Sequence, residues 1–334
     1  MDPLLEVSEL EQCFDVSPGF LDRLKIRNGR LSYSKSIVHA VNGVSFSVGR
    51  GEVFGLVGES GCGKSTVAKT IIKLHEPAGG RILIDGEDIT EYDARRMIPV
   101  RKTVQMIFQD PYASLNPRMK VVDIVTEPMA LDGAAGKADV RHRAVALLNR
   151  VGLGEEHLNR YPHQFSGGQR QRIGIARALS VEPELVIADE PVSALDVSIQ
   201  AQILNLMMDL KDEFGFSCLF ITHDLSVVRH ISDRIGVMYL GFLVETGPSD
   251  ELFLNPRHPY TRALLSAAPS VDEKLNIDSV DITGEVPSAL ELPSGCCFRS
   301  RCPFAFDRCL RERPLLVSRL PGRMEACHLA EDLP

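Results

Sequence analysis

An α/β fold built on a largely parallel sheet is what this sequence predicts, and three observations predict it. Short apolar runs rich in Val and Ile alternate with amphipathic stretches along most of the chain. One of those runs leads through a glycine-rich loop straight into a periodic helix. The composition, 44% apolar and 25% charged over 334 residues, is that of a globular protein with a length prior of roughly two domains.

Residues 1–50 read as β-rich, with a first strand at Leu4–Val7 and an alternating stretch at Val38–Val48 that suits an antiparallel region. Strands follow at Val53–Val57, Val104–Phe108, Leu185–Ala188, Ser217–Ile221 and Ile235–Leu240. Helices are expected at Lys64–Leu74, Val140–Val151, Gly167–Leu179, Ile199–Phe214 and Leu225–Ile231. Beyond about Pro256 the composition shifts, and residues 270–334 combine many prolines with five of the eight cysteines. The expected division is therefore 1–255 and 256–334.

Charge and hydropathy exclude several classes. Lys plus Arg is 37 against 45 for Asp plus Glu, a net charge of −8, so no basic nucleic-acid footprint covers the chain. No apolar run approaches the ~18–20 residues of a membrane-spanning helix. The acidic start, Met1-Asp2-Pro3-Leu4-Leu5-Glu6, lacks the basic region of a secretory signal, and a soluble cytosolic chain is expected.

The chemistry begins at Gly58-Glu59-Ser60-Gly61-Cys62-Gly63-Lys64-Ser65-Thr66, which matches G-x-x-x-x-G-K-[ST] between a strand and a helix. Such a loop turns consecutive backbone N–H groups inward as an anion nest, and the helix dipole points at the same place. Lys64 is expected to neutralise β/γ-phosphates and Ser65 to ligate Mg²⁺. Cys62 adjoins Lys64 and a helix N-terminus, both of which lower a thiol pKa, so it reads either as an alkylation-sensitive position or as a small loop filler.

Asp189 and Glu190 follow the apolar run Leu185–Ala188, at the strand end where open α/β sheets bind ligands. Alone, such a pair is more often a cap or a solvated turn. Beside a phosphate loop, Asp189 reads as support for Mg²⁺ and Glu190 as the base that polarises an attacking water. Ser166-Gly167-Gly168-Gln169 opens a periodic helix and offers a second set of exposed N–H groups. One nucleotide cannot readily use two distant loops of one chain, so two copies facing each other across it are expected.

Together these motifs resemble the nucleotide-binding subunits of ATP-binding cassette (ABC) transporters, over almost the whole chain. The resemblance implies a P-loop NTPase cassette with a RecA-like core, an antiparallel β subdomain and a helical subdomain at about 111–165, plus a small cysteine-rich C-terminal extension. It makes Ser166–Gln169 the signature loop, with Phe165 before it where Leu is commoner. It makes Gln109 a Mg²⁺-sensing Q-loop glutamine, Ser193-Ala194-Leu195-Asp196 the D-loop, and His223 the switch histidine that contacts the γ-phosphate. Phe14 is the favoured adenine-stacking residue, with Tyr33, in an apparent insertion at 18–37, as the alternative.

Two stretches narrow the family. Asn255-Pro256-Arg257-His258-Pro259-Tyr260-Thr261-Arg262-Ala263-Leu264-Leu265 and the cysteines Cys296, Cys302, Cys309 and Cys327 are similar to the C-terminal extension of oligopeptide and dipeptide importer ATPases, most like the second of the two ATPase subunits such importers pair. That resemblance implies a [4Fe–4S] cluster on the four cysteines, with Cys297 as an alternative to Cys296. Zinc is the alternative metal, since four thiolates suit both and spacing does not choose. The implied function is ATP hydrolysis that powers peptide import, or import of nickel chelates, opines or other small solutes by a related system. The implied partners are a second ATPase subunit in a heterodimer, two membrane permeases and an external substrate-binding protein, with no nucleic acid. The expected location is the cytoplasmic face of the inner membrane. A soluble ABC ATPase of DNA repair or translation is disfavoured, because about one hundred residues between Gly63 and Ser166 leave no room for a long coiled coil. A non-catalytic sensor is disfavoured by the presence of Lys64, Asp189, Glu190 and His223.

Overall fold

The computed structural model describes residues 2–17, 24–27, 30–33, 36–130, 137–267, 280 and 282–329. Of the stretch read as an insertion, residues 18–23, 28, 29, 34 and 35 lie outside the described residues, as does the Tyr33 side chain. The chain opens with β1 (Leu5–Asp15), a small hairpin of β2 (Leu24–Arg27) and β3 (Arg30–Tyr33), then β4 (Ile37–Val48) and β5 (Val53–Val57). After α1 (Lys64–Ile71) come β6 (Gly79–Ile84), β7 (Glu87–Asp88), α2 (Met97–Thr103) and β8 (Val104–Ile107). The helical stretch holds α3 (Val121–Ala130), α4 (Lys137–Arg150) and α5 (Gly167–Leu179). The second half runs β9 (Leu185–Asp189), α6 (Val197–Phe214), β10 (Ser217–Thr222), α7 (Leu225–Ile231), β11 (Arg234–Tyr239) and β12 (Phe242–Pro248). It ends with α8 (Ser249–Leu254), α9 (Pro259–Ala267), α10 (Asp307–Arg311), β13 (Val317–Leu320) and β14 (Arg323–Glu325).

Two larger sheets organise these elements. The main sheet has the order β13-β14-β12-β11-β5-β10-β9-β8, parallel from β11 to β8, and the second is antiparallel with order β4-β1-β6-β7. Every residue of β5, β9 and β10 is buried, as expected of parallel strands covered on both faces. The period-two alternation then divides them between two cores. Val53 and Val57 of β5, with Val186 and Ala188 of β9, face the helices α3–α7. Phe54 and Leu56, with Leu185 and Ile187, face α1 and the antiparallel sheet. There Phe46 stacks on Phe54 with ring centroids 5.0 Å apart.

The ends of elements depart from the expected ones for local reasons. Helix α1 stops at Ile71 because Lys73 enters the left-handed region (φ 57°). Helix α3, which periodicity did not reveal, continues through Pro128. The chain end rejoins the main sheet, where β14 pairs with β12 through Glu245↔Glu325. This junction is ionic and buried. Glu245, 1% exposed, accepts from the backbone N–H groups of Arg257 and His258 and from Arg323 Nη2, each at 2.9 Å. Arg323 also donates to the Asn255 carbonyl at 2.7 Å.

Candidate active site

Strand β5 delivers the chain to a loop that only glycine can build at two points. Gly58 has φ 155°, and a Cβ there would stand 2.2 Å from the Met238 carbonyl oxygen. Gly63 has φ 110°, and its Cβ would stand 2.2 Å from the Ala40 carbonyl oxygen. Gly63 is also the N-cap residue of α1, so the first-turn N–H groups of that helix open onto the loop. The Lys64 side chain folds back under the arch, 4% exposed, and its Nζ donates to the Gly58 carbonyl at 2.7 Å and the Glu59 carbonyl at 3.1 Å.

The end of β9 meets this loop. Ser65 Oγ donates to Asp189 Oδ1 at 2.7 Å, and burial pushes the Asp189 carboxyl up while the Ser65 bond opposes it. Glu190 has φ 44°, a left-handed conformation that costs a non-glycine residue about 1–3 kcal/mol and clusters at functional sites. The turn is held by Glu190 N–H donating to the Ile221 carbonyl at 2.9 Å and by Ser193 Oγ donating to the Glu190 carbonyl at 3.1 Å. The Glu190 carboxylate is bracketed: Gln109 Nε2 donates to Oε2 at 2.9 Å, and His223 Nδ1 lies 3.3 Å from Oε1. Two side chains far apart in sequence, Gln109 and His223, thus converge on one carboxylate.

Two adjoining cavities follow from this layout. One, of about 770 Å³, is bounded by Gly58–Ser60, Gln109, Glu190, Ser193, Ala194 and His223. The other, of about 330 Å³, is bounded by Ser60–Thr66, Gln109, Glu190 and Phe14. Phe14 stands edge-on to His75 at 5.1 Å, at the mouth of the second cavity. The loop Ser166–Gln169 lines neither. Ser166, exposed, caps α5 with a reciprocal pair: Gln169 N–H to Ser166 Oγ at 3.3 Å and Ser166 N–H to Gln169 Oε1 at 3.1 Å. Leu195 packs toward Gly167, and Asp196 precedes α6 on the surface.

Of the two readings of Cys62, the structure favours the loop filler. It is buried, and desolvation raises its thiol despite Lys64 beside it, because the apolar surroundings disfavour the thiolate more than the ammonium favours it.

The cysteine cluster is the larger correction. Cys296, Cys302, Cys309 and Cys327 do border one space, but it measures about 20 Å³, the scale of a single water, and Phe298, Phe304 and Phe306 share its walls. Burial pushes the Cys296 thiol up to about 11 and the Cys302 thiol up to about 12. Cys297 turns into the main core, with its thiol at about 12. Among the described residues no group of three or more His, Cys, Asp or Glu side chains is arranged to hold a metal ion. The expected iron–sulfur cluster, and the zinc alternative, are therefore not supported; these cysteines pack as small apolar residues.

Sequence reasoning missed two side chains that reach the loop. The Glu59 N–H donates to the Tyr260 hydroxyl at 2.9 Å, and Arg301 forms a two-pronged pair with the Glu59 carboxylate. Tyr260 belongs to a stretch already singled out, whereas no local signal marks Arg301.

Comparisons with known proteins identify the family and the fold. The family model described as ABC transporter matches residues 41–193, and that described as oligopeptide/dipeptide transporter, C-terminal region, matches residues 244–309. The chain is 48% identical over 331 residues to the oligopeptide transport ATP-binding protein AppF of Bacillus subtilis, covering 98% of each chain. Among solved structures, the ATP-binding cassette MJ0796, a dimer in a post-hydrolysis state bound to ADP and Pi, superposes with a TM-score of 0.63 at 27% identity, covering 73% of this chain and 98% of that one. The cbiO1 subunit of Clostridium perfringens, part of the transporter complex cbiONQ, gives 0.62 at 29% identity over 76% and 91%.

Proposed function

We propose how this chain works from the premise that it belongs to the ABC transporter family of ATP-binding subunits, in the oligopeptide class. It is an ATP-hydrolysing subunit that powers peptide import through membrane permeases fed by a substrate-binding protein. No described helix is long and apolar enough to cross a membrane, which accords with a peripheral subunit that borrows its pore from partners.

The observation that carries the residue roles is the Glu190 carboxylate held between Gln109 and His223 at the rim of the glycine-rich loop. In our reading, Lys64 leaves the Gly58 and Glu59 carbonyls for the β/γ-phosphates, while the N–H groups of Ser60–Thr66 wrap them. Phe14 stacks on adenine. The hard oxygens of Ser65 and Asp189, already 2.7 Å apart, suit Mg²⁺, and Gln109, which lines the same cavity as Ser65, would add its amide oxygen. Mg²⁺ held by these residues would supply charge neutralisation to the nucleotide's phosphates. Glu190 orients the attacking water and accepts its proton, and His223 swings toward the γ-phosphate. Ser166–Gln169, which lines neither cavity and has Ser166 exposed, completes the site of the second ATPase subunit, with Ser193–Asp196 at the seam. We place the assembly at the cytoplasmic face of the inner membrane, as a heterodimer of ATPase subunits.

Glu190→Gln tests this reading. The variant retains MgATP binding, which rests on the loop, and accumulates as a closed dimer with bound ATP. Steady-state hydrolysis in the assembled transporter falls by ~10²–10⁴, the usual worth of a general base. Near-normal turnover at both sites removes Glu190 from the catalytic role.

A further inference from the structure

Within Gly58–Thr66 the one carboxylate is Glu59, and it lines the larger cavity together with Glu190 and His223. A negative charge there faces the space that phosphates would enter and opposes their binding. The C-terminal extension meets that charge from 242 residues away: Arg301 Nη1 donates to Glu59 Oε2 at 2.8 Å, and Nη2 donates to Oε1 at 3.0 Å. This fork-to-fork geometry is the strong form of an ion pair, and the Arg301 side chain is only 11% exposed. Arg301 is itself held. Its N–H donates to the Phe298 carbonyl at 3.0 Å, and the Phe298 ring packs on Tyr260 at 5.4 Å. Tyr260, fully buried, accepts the Glu59 backbone N–H. One aromatic cluster of the extension therefore fixes both the side chain and the backbone of Glu59.

We propose that Arg301 is a positioning residue for the nucleotide: it cancels the Glu59 charge and fixes the loop, so the C-terminal extension sets ATP affinity. The proposal rests on the reading of this loop as the ATP site. It requires electrostatic neutralisation, which separates it from a purely mechanical tie between loop and extension. A tie fails equally whichever end is cut. Neutralisation fails only when the carboxylate is left without its arginine.

The test measures MgATP and MgADP affinity of the full chain by titration calorimetry, and KM and kcat in the assembled transporter. Arg301→Met weakens MgATP binding about tenfold, the scale of one uncompensated charge across a partly solvated site. MgADP, with one negative charge fewer, suffers less. The loss appears in KM for ATP rather than in kcat, and it shrinks as salt rises from about 50 to about 500 mM. Adding Glu59→Gln to Arg301→Met recovers most of the affinity, and Arg301→Lys retains most of it even if its melting temperature drops. A double variant no better than Arg301→Met, or a loss equal for both nucleotides and indifferent to salt, overturns the proposal. Lys64→Ala separates the two levels. If it binds MgATP like the unmodified chain, the ATP reading itself fails; if it alone abolishes binding while both Arg301 variants bind normally, only this inference fails.

Discussion

Replacing Glu245 by glutamine keeps its volume and removes its charge at a position 1% exposed to solvent. The carboxylate serves three donors with two oxygens: Oε1 accepts from Arg257 N–H and Arg323 Nη2, and Oε2 accepts from His258 N–H. A glutamine has one acceptor. With its oxygen toward Arg323, its amide nitrogen confronts the His258 N–H; turned round, it confronts the other two. The gentler orientation leaves one buried N–H unpaired, about 1–3 kcal/mol. It also strips Arg323 of its nearest carboxylate, and breaking a buried pair costs about 3–5 kcal/mol. Glu325, which contacts Arg257 and Arg319 in the same junction, offsets part of that. The expected net loss is about 3–5 kcal/mol. The chain contains no tryptophan, so urea unfolding of the full chain is followed by far-UV circular dichroism. Limited proteolysis reports whether residues 317–325 come free first. A loss below about 1 kcal/mol refutes the argument, because a carboxylate with three satisfied donors would then be dispensable.

Two further outcomes are expected. His258 is buried, and its Nδ1 accepts the Tyr260 N–H at 3.0 Å, so burial holds its pKa down to about 3 against 6.5 in an open chain. As pH falls the unfolded chain takes the proton first, so stability is intact above 6.5 and is lost progressively between 6.5 and about 3, by up to about 1.4 kcal/mol per pH unit. His258→Gln flattens that slope in urea titrations between about pH 7 and about pH 5, and an unchanged slope places the acid sensitivity elsewhere. Cys62, buried with its thiol raised, reacts with maleimide in the folded chain far more slowly than in urea. Rapid labelling at neutral pH that MgATP blocks, and that Cys62→Ser removes, contradicts the burial.

The parts legible in the sequence were those whose causes are local. The run Val53–Val57, the glycines of 58–63 and the helix from Lys64 form one uninterrupted strand–loop–helix, and each residue type there is dictated by its neighbours. The position of Asp189 and Glu190 beside that loop was readable because an all-apolar run ends in two acids where open α/β sheets face their ligands. The cap at Ser166 was readable from Ser166 and Gln169 three residues apart. What escaped depends on distant packing. Arg301 looks like any surface arginine until the chain end folds against Glu59. Cys62 carries the neighbours of a reactive thiol, and only burial reverses the expectation. The cysteine spacing was read by resemblance, whereas the space those side chains enclose is set by Phe298, Phe304 and Phe306, which spacing does not encode.

The placement of β5 between β10 and β11 has a consequence for how the molecule is made. Both neighbours of this strand lie far downstream, and the Val53 N–H finds its acceptor in Asp233 Oδ2, 180 residues later. At ~5–20 residues per second, a ribosome leaves β5 unpaired for roughly 10–40 s. Over that interval its five residues, four of them apolar, can pair with any available edge. Nucleotide cannot template the fold early in synthesis, because the arch at Gly58 closes against Met238, far downstream in the chain. A message cut short before β11 therefore yields an intact glycine-rich motif and no nucleotide site, a product for chaperones and proteases rather than a weaker enzyme.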